Sequence, residues 1–247
     1  MDPAQFDPLV FLREQLISAA GGYLRNPTPR GTCPLCRGIS GIDGQPECSA
    51  CARFATSGAV DQLGFMIYAT KGTQSGAMMY RYKDPQPPAG PVKIMRLLVG
   101  YNLLKHLVCA EQPAGPPQFW ATIPSLRRPG PSRLAEICAP FLESRGLQHV
   151  PLQAASHDPT SRRWFDPDLF DAPRLTGHVL LLDDTWVTGN HLYSGAAALK
   201  TAGASRVTAL VVSRWLDSDW GSTPAFLRNL PRAAYSPDVC PFTGRFC

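Results

Sequence analysis

An apolar run, His178-Val179-Leu180-Leu181-Leu182, ends on two adjacent carboxylates, Asp183 and Asp184. The chain continues through Thr185-Trp186-Val187-Thr188-Gly189-Asn190-His191 into a good helical pattern over residues 190–202, closed by Gly203. Few folds accept that succession. An apolar strand that feeds a short glycine-bearing loop and then a helix belongs to an α/β protein with a mostly parallel sheet. Its acids then stand, solvated, at the carboxyl end of a strand, the ligand edge of such sheets. The loop offers backbone N–H groups and threonine hydroxyls, and the new helix adds its positive N-terminus, so an anion such as a sugar phosphate fits there.

The rest of the chain repeats this alternation. Strands are expected at residues 65–69, 118–123, 149–152, 179–182 and 206–212, and helices at 5–20, 92–110, 132–145 and 190–202. The proline-rich stretches 85–91 and 113–117 read as loops, and residues 216–247 lack periodicity and are expected to wrap the surface. With 247 residues, 44% of them hydrophobic and 17% charged, the chain is long enough for one good-sized core plus a small appendage, and it is globular in composition. No apolar run reaches membrane-span length and no basic-then-apolar leader opens the chain, so a cytoplasmic protein with no membrane partner is expected. A net charge of +5 permits a phosphorylated ligand without arguing for nucleic acid.

Four of the eight cysteines form two tight pairs, Cys33-Pro34-Leu35-Cys36 and Cys48-Ser49-Ala50-Cys51, inside a Pro- and Gly-rich segment too short for a core of its own. Two such knuckles suit one structural zinc held by four thiolates. Cys240 and Cys247 leave three readings open: a second metal clip, a disulfide, or two independent thiols. Cys109 and Cys138 lie on apolar helix faces and read as small core residues. The boundaries that follow are an amphipathic helix over 1–25, a four-cysteine zinc module over 26–56, an α/β domain over 57–215 and an extension over 216–247.

A Walker B strand would need GxxxxGK[ST], and a dinucleotide fold would need GxGxxG; neither occurs in the chain. The pattern of apolar strand, Asp-Asp, three residues and Thr-Gly instead resembles the phosphoribosyl pyrophosphate (PRPP) motif of type I phosphoribosyltransferases. With the four-cysteine module ahead of it, and with the segment Ala121-Thr122-Ile123-Pro124-Ser125-Leu126-Arg127-Arg128, the chain resembles the ComF-type phosphoribosyltransferase-like family, which is linked with competence for DNA uptake. The resemblance covers residues 33–51 and 63–215.

The resemblance implies a type I phosphoribosyltransferase-like fold and a Mg²⁺-dependent transfer from PRPP to a nitrogen acceptor. It puts Asp183 and Asp184 at the ribose hydroxyls. Thr185, Val187, Thr188, Gly189, Asn190 and His191 would surround the 5′-phosphate. Ser125, Leu126, Arg127 and Arg128 would form the pyrophosphate loop, where arginine's planar fork suits phosphate oxygens. Arg162 and Arg163 fit either a closing loop or a solvated surface, and Trp164, Phe165 and Trp215 either the acceptor side or ordinary core and loop positions. Two positions depart from the family's usual Thr-Thr-Gly-x-Thr: Val187 replaces the first threonine and His191 the last. The alternative reading is therefore a non-catalytic PRPP-site binding or sensor protein, with single-stranded DNA or competence proteins as partners of the zinc ribbon.

Overall fold

The computed structural model describes residues 6–40, 46–54, 56–111, 115–126, 132–155 and 164–247. Five parallel strands form the sheet: Gln62–Thr70 (β1), Phe119–Thr122 (β2), Gln148–His149 (β3), Gly177–Trp186 (β6) and Ala204–Leu216 (β7), in the order β1-β7-β6-β2-β3. The short strands Gln153–Ala154 (β4) and Phe170–Asp171 (β5) pair antiparallel beside it. Helices run Pro8–Ala20 (α1), Ser49–Ala52 (α2), Gln74–Arg81 (α3), Ala89–Glu111 (α4), Arg133–Glu143 (α5), Asn190–Thr201 (α6) and Thr223–Asn229 (α7). The α/β class with a parallel sheet flanked by helices is as expected. None of the described helices is long and apolar enough to cross a membrane.

The central strands explain why both sheet faces are covered. Side chains alternate across a strand, so the unbroken apolar run of β6 serves two cores at once. Leu180 and Leu182 join Leu210 and Val212 of β7 under α1, α3, α4 and α5. Val179 and Leu181 join Val207, Ala209 and Val211 under α6, and the cysteine module shares this second core through Cys33, Cys36, Cys51 and Phe54. Helix α1 starts where Asp7 accepts the Leu9 N–H at 2.8 Å, with Pro8 in the first turn.

Three expectations shift. The strand expected over 149–152 is interrupted: β3 ends at His149, the Val150 N–H still reaches Trp120 O at 2.8 Å, and β4 resumes at Gln153. Helix α3 is an addition to the expected elements; its apolar residues come late, and the Thr73 side chain caps its start. Residues 216–247 are not a plain surface wrap, because α7 and a tight turn around Cys240 lie within them.

The topology itself selects a ligand edge. From β6 the chain crosses through α6, on one face, to β7; from β2 it crosses through α5, on the opposite face, to β3. The strand order therefore diverges between β6 and β2. A crevice opens at such a point, outside the carboxyl ends of the strands. Thr122 pairs with Leu182, and the Ile123 N–H donates to Leu182 O at 3.0 Å. The residues that emerge together from that crevice are Asp183 and Asp184 on one side and Ile123, Pro124 and Ser125 on the other.

Candidate functional site

Strand β6 runs four residues past Leu182, so Asp183, Asp184 and Thr185 are strand residues, with Thr185 paired to Ser213. Neither acid is simply solvated. Asp183 is half-buried, and its Oδ1 accepts the Asp184 N–H at 2.8 Å. Burial, reinforced by the neighbouring Asp184, pushes its carboxyl well above the usual carboxylate range, to about 8; Lys83 and the amides of Asp184 and Thr185 oppose the rise. A freely solvated pair is the expectation from sequence, and the strand's extension into the protein is the reason it fails. Asp184 is compensated from α3's end: Tyr82 Oη donates to its Oδ2 at 2.6 Å, and Lys83 Nζ stands 2.8 Å from its Oδ1. Burial and the adjacent carboxylate hold the Tyr82 phenol well above its ordinary pKa, so it stays a proton donor.

Sequence reasoning misses Tyr82 and Lys83. They follow α3, about a hundred residues before the acids, and an Arg-Tyr-Lys run reads as an ordinary polar helix end.

The loop after β6 is tight. Trp186 is buried, edge-on to Phe65 at 5.5 Å and to Tyr193 at 6.0 Å. Its ring passes so close to Gly189 that a Cβ there would stand 2.4 Å from it, and Gly189 also holds φ +86°. Only glycine meets both demands. Gly189 is the N-cap of α6 and brings no capping side chain to the first-turn amides. Val187 and Thr188 are exposed at the tip, while Asn190 is buried. His191 lies edge-on to Phe170 of β5, with ring centroids 6.5 Å apart. Thr185 does not belong to this tip: its hydroxyl is buried and has no hydrogen-bond partner among the described residues.

Of the proposed pyrophosphate loop, Ser125 is exposed and Leu126 packs into the core under α6. Arg127 and Arg128 lie outside the described residues, as do Arg162 and Arg163. The aromatics considered for an acceptor divide. Trp215 is buried against Tyr80, Phe165 meets Phe54 of the cysteine module, and Trp164 is exposed. A cavity of about 600 Å³ is lined by residues of α1, α4 and α5 among others, including Leu12, Lys93, Arg96 and Arg133, and includes neither acid.

The cysteine module forms a compact thiol cluster. Cys33, Cys36, Cys48 and Cys51 bring their sulfurs within 4.8 Å of one another, and Cys36 Sγ stands 3.8 Å from Cys48 Sγ. Zinc–thiolate bonds of about 2.3 Å place the sulfurs of a tetrahedron about 3.8 Å apart, so the donor set fits zinc. Hydrogen bonds among the four thiols lower the pKa of Cys33 and raise those of Cys36 and Cys51, so the four sulfurs titrate as one group.

This cluster also touches the loop after β6 and helix α6. Phe54 stacks flat on Tyr193 of α6 at 4.1 Å, 6° from parallel. Arg214 donates from Nη1 to the carbonyls of Trp186 and Val187, each at 3.4 Å, and its guanidinium packs against Gly38 of the knuckle.

A second cluster joins His106, Cys109, Cys240 and Cys247, also within 4.8 Å. Cys109 is half-buried in it rather than a plain core residue, whereas Cys138 is fully buried among apolar side chains, as expected. No known protein-family profile matches the chain, and no curated protein matches it.

Proposed function

We propose that the chain binds Mg²⁺–PRPP at the crevice between β6 and β2, and that it is a phosphoribosyltransferase-like protein of ComF type with a structural zinc in its four-cysteine cluster. One observation carries this reading: the acid pair emerges at the sheet's diverging point and runs directly into a glycine-capped loop and helix α6. A sugar diphosphate needs both halves, acceptors for the ribose hydroxyls and a nest of amides for the 5′-phosphate. Asp183 and Asp184 serve the ribose, and residues 187–191 receive the phosphate. Ser125 and the arginines that follow it take the pyrophosphate.

Transfer at the anomeric carbon passes through a cation-like ribose, so the protein's work is to align reactants and stabilise separating charge. Mg²⁺ bound with PRPP would supply charge neutralisation at the pyrophosphate. The residues seen here divide the remaining tasks. Tyr82 and Lys83 fix the Asp184 carboxylate, which then faces the ribose as an oriented acceptor. Burial raises the Asp183 carboxyl to about 8, so its protonated form would be available to donate to a ligand oxygen. Phe54 and Arg214 hold α6 and the loop in place from behind.

The same loop favours a second reading, a binding protein without turnover. Val187 and His191 remove two hydroxyls from the phosphate nest, and the Thr185 hydroxyl faces inward. Calorimetry with PRPP and Mg²⁺ tests the shared claim. Asp184→Asn should weaken binding by about 1.5–3 kcal/mol, the range for a charge-assisted hydrogen bond. Unchanged affinity in a folded Asp183→Asn/Asp184→Asn variant would sink the assignment. A pyrophosphate-release assay across bases and amines then separates a transferase from a binding protein.

A further inference from the structure

The turn at Cys240 repeats the knuckle at Cys33, bond for bond. In the first, Cys33 N–H donates to Gly38 O and Arg37 N–H to Cys33 O, both at 2.9 Å, and Thr32 bridges Ile39. In the second, Cys240 N–H donates to Arg245 O and Gly244 N–H to Cys240 O, both at 2.8 Å, and Val239 bridges Phe246. Each turn places a proline after its cysteine and a left-handed residue four positions on, Arg37 at φ 56° and Gly244 at φ 69°. The difference is one ligand. Where the first knuckle has Cys36, the second has Thr243, and its second thiol arrives four residues later as Cys247.

The remaining groups of the second cluster come from α4. His106 and Cys109 stand three apart on one helix and so share a face, just as Cys48 and Cys51 do at α2. His106 is fully buried, and its Nε2 lies 2.9 Å from Pro237 O. A carbonyl only accepts, so the ring proton sits on Nε2 and the Nδ1 lone pair is left for the cluster. Nδ1 is 3.1 Å from Cys247 Sγ, and Cys109 Sγ is 3.7 Å from the same sulfur. A tetrahedral zinc sets such separations at about 3.5 Å for nitrogen to sulfur and about 3.8 Å for sulfur to sulfur. A disulfide would engage two of the sulfurs at about 2.05 Å and leave the oriented imidazole and a third thiol without a role.

We propose that His106, Cys109, Cys240 and Cys247 bind a second zinc ion, a centre of three thiolates and one imidazole that staples the C-terminal turn to α4. Thiolates with one imidazole in a tetrahedron favour zinc among the common divalent ions. The staple holds more than the tail. Pro241 O accepts the Phe65 N–H at 3.0 Å, which covers part of the outer edge of β1, and Phe242 O accepts from Arg37 Nη2 of the first knuckle at 3.1 Å.

Elemental analysis of the full chain, prepared reduced and without chelator, should find about two zinc ions per chain rather than one. Cys240→Ser/Cys247→Ser should fall to one, Cys33→Ser/Cys48→Ser should also fall to one, and the fourfold variant should hold none. A test without variants runs in parallel. Cobalt titrated into metal-free protein should fill two sites, one with the spectrum of four thiolates and one with that of three thiolates and an imidazole. Native alkylation followed by intact mass should leave Cys109, Cys240 and Cys247 unmodified until chelator is added, although Cys247 is exposed. The proposal is overturned by one zinc per wild-type chain with a single cobalt spectrum. A mass lowered by two hydrogens in unreduced protein, with no second metal, overturns it equally and assigns a disulfide instead.

Discussion

The two knuckles have the same backbone and opposite placements. The first packs under α6 beside the loop after β6, through Phe54 on Tyr193 and Arg214 on the Trp186 and Val187 carbonyls. The second lies with α4 in the other core, where Cys240 and Phe242 are buried with Leu107 and Tyr101. One local turn that gathers thiols thus serves two purposes. At the first knuckle it supports the proposed site from behind; at the second it closes the far face and the β1 edge. The recurring element is a turn with a left-handed residue four positions after its cysteine, not the spacing of two cysteines.

That contrast predicts unequal damage. Cys33→Ser/Cys48→Ser should cause the largest loss, about 3–5 kcal/mol, because thiol ligands shared with a core are left without the metal that organises them. At about 2–4 °C per kcal/mol for a chain of this size, the midpoint should fall by roughly 6–20 °C. PRPP affinity should fall with it by tenfold or more, since α6 loses its support. Cys240→Ser/Cys247→Ser should cost less, about 2–3 kcal/mol, as it releases one turn and its cover of the β1 edge. Its PRPP affinity should stay within about twofold, since its hydrogen bonds reach Phe65 of β1 and Arg37 of the first knuckle rather than α6 or the acid pair. Calorimetric melting and PRPP titration of both variants check the pair. If the second variant loses PRPP binding as severely as the first, the division of labour between the knuckles is wrong.

The first knuckle is legible in the sequence because its ligands are local: two CxxC pairs lie within twenty residues. The second is not, because His106 and Cys109 sit in an apolar helix more than a hundred residues from Cys240, and Thr243 breaks the CxxC spacing. Topology alone brings them together. The proposed ligand site divides the same way. Asp183, Asp184 and the glycine loop form one continuous segment that periodicity and residue type reveal. Tyr82 and Lys83 arrive from another crossover, and no pattern in α3 marks them. Periodicity locates the apolar strands well and their ends poorly, because β6 continues through two acids and a threonine that no hydrophobic pattern would include.

The acid pair is a third kind of region, one where the fold keeps charge at a cost, and it gives an effect of intermediate size. Asp183's carboxyl is raised to about 8 by burial and by Asp184, against Lys83 and two amides, with Tyr82 alongside. A carboxyl raised in the folded state binds its proton more tightly there than in the unfolded chain. Its stabilising contribution is complete below the unfolded value of about 3.9 and is lost as pH climbs through about 8. Asp183→Asn should therefore be more stable than wild type, by about 1–2 kcal/mol at pH 9 and by progressively less towards pH 5. Melting curves of both proteins at pH 5, 7 and 9 without ligand decide it. A gap that stays constant across that range would mean Asp183 is ionised throughout, and no strained acid would then distinguish this site from the two cysteine clusters.

The smallest effect bears most directly on the knuckles. Each needs a left-handed residue four positions after its cysteine; the second supplies Gly244, but the first supplies Arg37, the one non-glycine with positive φ among the described residues. A side chain in that conformation costs about 1–2 kcal/mol. Arg37 recovers part of it by donating to Phe242 O, a bond worth about 0.5–1.5 kcal/mol. Arg37→Ala removes the bond and keeps the strain, whereas Arg37→Gly removes both and adds about 0.5–1 kcal/mol of chain entropy to the unfolded state. Arg37→Gly should consequently be the more stable of the two by about 0.5–1 kcal/mol, against the ordinary preference of a chain for alanine. At the second knuckle the order reverses against the substitution. Gly244→Ala should cost about 1–2 kcal/mol, because the new Cβ meets both the positive φ and Pro29 Cδ at 2.7 Å. Denaturant unfolding of the three variants in zinc-replete buffer measures these differences. If Arg37→Ala proves as stable as Arg37→Gly, the first turn is not left-handed in solution, and the correspondence between the two knuckles loses its backbone basis.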